Sequence, residues 1–354
     1  VKEMASLERC ITVLNNEIPD RVPVVPQSFL FACEVAGYSM YDVNHDPKLM
    51  ANALIVCQEK FGYDGCVIDF DDASLAEACG AKVIYREDEP AVVDESEPLL
   101  KDLHYVEHLP LPDPYASPRL QHWLETTRTL VDEIGDHVFI MGRADQGPFS
   151  LACLLRGTQQ FMLDIMTEEH ELIGKVIDYC RQACALFAIA QKDAGAHATS
   201  AGDALAGPNL ISPDMYRKFA LEPERNLTEE IQRYGIPFSI HICGNTNSIL
   251  PDMITTKARI LEVDWPVNMD EAHKLCGMNT VLMGNINPSD PLVLGNPDAV
   301  DAAVKKIIQQ TKGRNLFVSS GCAMGRNTKP ENVKAMVNAV KIYGTYEQLL
   351  EMNL

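Results

Sequence analysis

Phe238-Ser239-Ile240-His241-Ile242-Cys243-Gly244-Asn245 is the stretch whose reading decides the fold. Side chains alternate faces along a strand, so positions two apart point the same way. Phe238, Ile240 and Ile242 give one apolar face that suits a covering layer of helices. Ser239, His241 and Cys243 share the opposite face, and Gly244 marks the end of the strand. A strand with an imidazole and a thiol on its inner face, both near its C-terminal end, fits the mouth of a barrel, where barrel active sites lie.

Seven further runs rich in β-branched residues flank this one. The eight predicted strands are 22–27, 64–70, 137–146, 197–204, 238–244, 259–265, 280–286 and 315–321. Amphipathic stretches separate them, at 47–61, 118–134, 168–193, 213–234 and 297–311, with a last helix from Thr328-Lys329-Pro330-Glu331 to about Tyr343. Thr328 is the expected N-cap there, with Pro330 and Glu331 in the first turn. Strand and helix alternating eight times implies parallel pairing with helical crossovers, and eight strands close a (β/α)8 TIM barrel. An open doubly wound sheet would bring a Gly-rich phosphate loop after its first strand. Residues 22–27 lead instead into Ser28-Phe29-Leu30-Phe31. Residues 1–354 are thus expected to form a single barrel domain. Residues 1–20 are its N-terminal helical extension, and the Pro- and acid-rich segment 81–114 is a hairpin and surface excursion after the second strand.

The chain has 354 residues, a formal net charge of −20 and 46 % hydrophobic residues. That charge opposes a broad nucleic-acid surface and an anionic membrane, since both need a basic face. No apolar run approaches the ~18–20 residues of a membrane span. Val1-Lys2-Glu3-Met4 does not open an apolar leader, so a cytoplasmic protein is expected. The eleven cysteines are scattered in a long chain, which fits a reducing compartment better than a disulfide framework. Cys33, Cys66, Cys153, Cys180 and Cys184 read as core residues, and Met50, Met141 and Met324 as gap-fillers.

His241 and Cys243 supply half of a zinc site. Leu316-Phe317-Val318-Ser319-Ser320-Gly321-Cys322 brings a third donor, Cys322, just past the last strand. Two sulfurs and a nitrogen suit zinc, whereas magnesium and calcium take oxygen. Three protein ligands leave one position open, as catalytic zinc sites do.

His241-x-Cys243-Gly244-Asn245, with Cys322 far downstream in a Ser-Gly-Cys, resembles the signature of the methylcobamide:coenzyme M methyltransferases, within the uroporphyrinogen decarboxylase superfamily. The resemblance extends along nearly the whole chain. It includes Pro19-Asp20-Arg21-Val22-Pro23-Val24, Glu77-Ala78-Cys79-Gly80-Ala81-Lys82, Gly147-Pro148-Phe149, Leu154-Leu155-Arg156-Gly157, Gly202-Asp203, Met283-Gly284-Asn285 and Pro330-Glu331-Asn332-Val333. It implies a barrel enzyme in which zinc, held by His241, Cys243 and Cys322, activates a thiol such as coenzyme M. The thiolate then takes a methyl group from a methyl-Co(III) corrinoid. It further implies Asp203 and Asp264 as catalytic candidates around the cavity, or as hydrogen-bonding supports there. Asn245 and Asn285 are the implied cofactor-binding positions.

The corrinoid-binding pattern Asp-x-His-x-x-Gly is absent, so methylcobalamin or a corrinoid protein is the expected carrier. A homo-oligomer stays open. Transfer in the other direction, from a methylated donor to a Co(I) corrinoid, belongs to the same reading. The metal-free decarboxylase branch binds a polycarboxylate through an arginine-rich N-terminal segment. The matching residues here, 26–38, hold no arginine and carry Glu34. A barrel that binds a corrinoid or tetrapyrrole protein without catalysis is a third reading. Ala204-Leu205-Ala206-Gly207 and Ala323-Met324-Gly325-Arg326-Asn327 depart from the family pattern, which bears on the acceptor more than on the metal.

Overall fold

Seven strands lie side by side, every pair parallel, in a computed structural model that describes residues 2–353. In chain order they are β1 (Gly65–Val67), β4 (Phe139–Gln146), β5 (Ala198–Gly202), β6 (Phe238–Ile242), β7 (Ile260–Val263), β8 (Val281–Ile286) and β9 (Leu316–Ser320). Between β1 and β4 sits a small antiparallel hairpin of β2 (Val83–Ile84) and β3 (Val92–Val93), followed by a 3-10 turn at Leu103–His108.

The first predicted run, 22–27, joins the barrel as a bridge. Val25 N–H donates to the Val318 carbonyl (2.8 Å) and Val318 N–H to that of Pro23 (2.9 Å); on the other side Asp64 N–H donates to Val24 (2.7 Å). Residues 22–25 therefore connect β9 to β1 and close the barrel expected from the sequence. Pro23 and Pro26 have no N–H to give, so a full ladder cannot form there.

The inner face of the sheet is apolar at its N-terminal end. Val25, Val67, Phe139, Met141, Ala198, Ile260, Val281, Met283 and Phe317 pack with Cys10, Val13 and Leu14 of the helix Ser6–Leu14, which plugs that end. The helix occupies nine residues of the 1–20 segment. Phe238, Ile240 and Ile242 belong to the larger core between sheet and helices, as the alternation in β6 requires.

Asp64, wholly buried, pins the plug to the wall. Its Oδ1 accepts from Arg9 (2.6 Å), Ser6 (2.8 Å) and Arg21 (2.9 Å), and its Oδ2 accepts from Arg21 (2.7 Å) and the Val24 amide (2.8 Å). Arg9 also pairs with Asp20 at 2.6 Å.

Two helix expectations need correction. The predicted 213–234 helix is two helices, Pro213–Phe219 and Leu221–Arg233, parted at Ala220. Pro223 explains the break: it offers no N–H to residue 219 and its ring crowds that carbonyl. The last long helix starts at Pro330 with Lys329 at its N-cap, not Thr328, whose hydroxyl has no partner. Pro330 and Glu331 do fall in its first turn. No helix among the described residues is long and apolar enough to cross a membrane.

Removing the carboxylate that Arg9 and Arg21 share should be costly, because a broken buried ion pair leaves charge without a partner. Asp64→Ala is expected to lower unfolding free energy by about 3–5 kcal/mol. Urea titration followed by far-UV circular dichroism reads this; an unchanged midpoint would refute it.

Candidate metal centre

β6 and β9 end at the same mouth, although β7 and β8 lie between them in the sheet. His241 is the fourth residue of β6, paired with Gly202 of β5 and Glu262 of β7. Cys243 follows the strand directly, and Gly244 (φ 82°) then turns the chain in the left-handed region. A Cβ on Gly244 would lie 2.4 Å from the Asn209 side chain, and the left-handed backbone there strains any other residue. Cys322 stands two residues beyond β9. The intervening Gly321 lies so close to β7's loop that a Cβ would be 2.6 Å from the Trp265 nitrogen.

These turns converge three donors. His241 Nε2 lies 3.1 Å from Cys243 Sγ, and Cys243 Sγ lies 3.7 Å from Cys322 Sγ. The three donor atoms lie within 4.8 Å of one another. Tetrahedral zinc, with bonds of about 2.3 Å to sulfur and about 2.0 Å to nitrogen, sets its ligand atoms roughly 3.5–3.8 Å apart. The sulfur pair already has that spacing, and the nitrogen is a few tenths of an ångström tight. His241 Nδ1 is 3.1 Å from the Glu262 carbonyl, which accepts its proton and leaves Nε2 free to ligate. Burial sets the two sulfurs apart as well. The other nine cysteines are buried, and only Cys243 and Cys322 are partly exposed.

The donors polarise one another. A hydrogen bond from Cys243 outweighs burial and, helped by His241, brings the Cys322 thiol well down. The same hydrogen bond, with burial, pushes the Cys243 thiol up. Burial opposes charge on His241, yet contact with Cys322 wins and raises it to about 9. The set thus presents a thiolate ready for a cation.

The remaining predicted residues act on backbone. Asp264 accepts from Gly244 N–H and Trp265 N–H, both at 2.7 Å, and so ties the loop carrying Cys243 to the loop after β7. Asp203 accepts from Ser150 N–H (2.6 Å) and Phe149 N–H (3.3 Å), capping the helix Pro148–Arg156. Burial raises Asp203 to about 6. The carboxylate expected among the catalytic candidates is therefore engaged at a helix end, while its own N–H donates to the His241 carbonyl at 2.7 Å. The Asn285 amide donates to the carbonyls of Asp264 (3.1 Å) and Val267 (2.9 Å). Asn245 is exposed, and its side-chain oxygen accepts from the Asn247 N–H at 3.2 Å and the Asn247 side chain at 2.7 Å.

Sequence reasoning missed a polar layer inside the barrel, between the apolar plug and the centre. Arg143 pairs with Asp69 and Glu262, each at 2.9 Å, and Ser239 donates to Glu262 at 2.8 Å. Burial, partly offset by Arg143, raises Asp69 to about 8. The parity that exposed His241 was the available signal, because Arg143 and Glu262 sit two positions beyond the inward Met141 and Ile260.

Residues 5–343 match the family model described as uroporphyrinogen decarboxylase (URO-D). The chain belongs to the uroporphyrinogen decarboxylase family. Within this family it is similar to the methylcobamide:CoM methyltransferase MtbA of Methanosarcina mazei, at 26 % identity over 346 residues, 96 % of this chain and 99 % of that one. A uroporphyrinogen decarboxylase of Syntrophotalea carbinolica is also 26 % identical, over 300 residues, 83 % of this chain and 84 % of that one. Among solved structures, a methyltransferase from Methanosarcina mazei superimposes with a TM-score of 0.88 at 26 % identity, over 96 % of this chain and 99 % of that one. The chain takes its place on the methyltransferase side of the family.

Because Asp264 is the strut between the two loops, halving its acceptor capacity should loosen the centre. Asp264→Asn is expected to weaken zinc binding about 10–100-fold. Competition with a chromophoric chelator measures this, with circular dichroism confirming the fold; wild-type affinity would contradict the assignment.

Proposed function

We propose that this methyltransferase moves a methyl group from a methyl-Co(III) corrinoid to a small thiol, at a zinc centre held by His241, Cys243 and Cys322. One observation carries the reading: two thiols and an oriented imidazole, from strand ends that are not neighbours, come within 4.8 Å of one another at the barrel mouth. A decarboxylase relative shares the same 26 % identity, though over a shorter stretch than the methyltransferase relative. The donor set supports the methyltransferase reading, because decarboxylation as read for the other branch uses no metal.

Bound there, zinc would lower the pKa of a thiol at its open position so that thiolate prevails at neutral pH. The chain's own residues prepare that position. The Glu262 carbonyl fixes the His241 tautomer, and Asp264 holds Gly244 so that Cys243 stays turned inward. The thiolate attacks the methyl carbon, an S–C bond forms, and the Co–C bond breaks with both electrons left on cobalt as Co(I). No proton moves in that step, so the site needs no general acid, in keeping with Asp203 and Asp264 being committed to backbone amides. The corrinoid arrives on a partner protein at the open C-terminal face of the barrel. Coenzyme M, named for the relatives, is the first acceptor to test.

Cys243→Ser and Cys322→Ser should each strip zinc and abolish thiol-dependent demethylation of methylcobalamin while leaving the helical content intact. Elemental analysis and the visible spectrum of the corrinoid check both halves; full turnover without zinc would sink the reading.

A further inference from the structure

The cationic side chains placed nearest the metal centre, among the described residues, are already paired. Arg143 is one, within electrostatic reach of His241, and it is already committed to Asp69 and Glu262. Asp72, at the mouth, accepts from Gln146 at 2.8 Å, and Gln146 stands level with His241, each paired in register with Gly202 of β5 between them. Arg326, four residues past Cys322, is turned away: it pairs with Glu34 at 2.7 Å and donates to the Tyr38 carbonyl at 3.1 Å. Even when burial leaves a proton on Asp69, Glu262 balances Arg143, so the layer keeps no net positive charge.

The same layer holds uncharged hydrogen-bonding groups that nothing uses. Gln27 Nε2, Ser200 Oγ and Ser319 Oγ are buried without partners. All three occupy inward positions, two residues beyond Val25, Ala198 and Phe317 of the apolar plug. Buried polar atoms left unpaired await a ligand or water. Here they lie on the inner wall that carries His241 and Ser239.

We infer that the open position takes a small thiol whose far end is uncharged or cationic and discriminates against an anionic tail such as the sulfonate of coenzyme M; the inference rests on the methyl-transfer reading above. Gln27, Ser200 and Ser319 receive a hydroxyl or amino group on that tail. Asp72 repels a sulfonate and attracts an ammonium.

Coenzyme M, 2-mercaptoethanol and cysteamine share one two-carbon thiol stem and differ only at the tail, so they isolate its charge. Calorimetric titration of the zinc-loaded protein with each, corrected for thiol ionisation, should show the neutral and cationic thiols binding at least about tenfold more tightly than coenzyme M. Asp72→Asn should narrow that gap severalfold. Coenzyme M binding as tightly as the others overturns the inference, as does failure of the neutral and cationic thiols to bind. If the ranking holds while no thiol accepts the methyl group of methylcobalamin, the methyl-transfer reading falls and the pocket assignment stands. If coenzyme M binds best and is methylated, only the tail assignment falls.

Discussion

The rest of the barrel depends on one buried carboxylate, Asp64. It gathers Arg9 from the plugging helix, Arg21 and the Val24 amide from the closing segment, and it stands immediately before β1. Those are the three pieces that must meet for the sheet to close, and residues 22–25 bring only sparse ladder bonds to the seam. Charge-assisted hydrogen bonds supply there what two prolines withhold. With the N-terminal end sealed by Cys10, Val13 and Leu14, the polar layer and the donor atoms are confined to the other end.

The architecture was legible because hydrophobic period changes with element type. β6 displays the strand period cleanly, so the same residues that located the strand also located His241 and Cys243. The closing segment was legible as a strand but not as a bridge, since its pairing depends on prolines meeting neighbours far off in the chain. Pro223 did carry the signal for the helix break at Ala220, and the apolar period across it masked that signal. Thr328 had the chemistry of an N-cap, yet the chain places its hydroxyl without a partner and begins the helix one residue later.

Site chemistry was legible where donor type alone identifies a role, as with imidazole and thiol. It was not legible for carboxylates, whose role depends on what they meet. Asp203 reaches amides 53 and 54 residues away, and Asp264 reaches one 20 residues away. Nothing in the local sequence announces those contacts. Arg143, Asp69 and Glu262 were hidden differently: each lies in or beside a hydrophobic strand, where a charged residue shows its direction only once parity is followed along every strand.

The donors' origin on β6 and β9 has a mechanical consequence. With β7 and β8 between them, a metal held by Cys243 and Cys322 is a cross-link over the mouth, joining parts of the chain 79 residues apart. The unfolded chain has no preformed cage, so occupancy weights the folded state, by about 4 kcal/mol at a free metal concentration near 1,000 times Kd. If these donors hold a metal, the melting temperature of a preparation gauges how fully they are loaded, and two samples of identical sequence would differ in heat resistance through metal content alone.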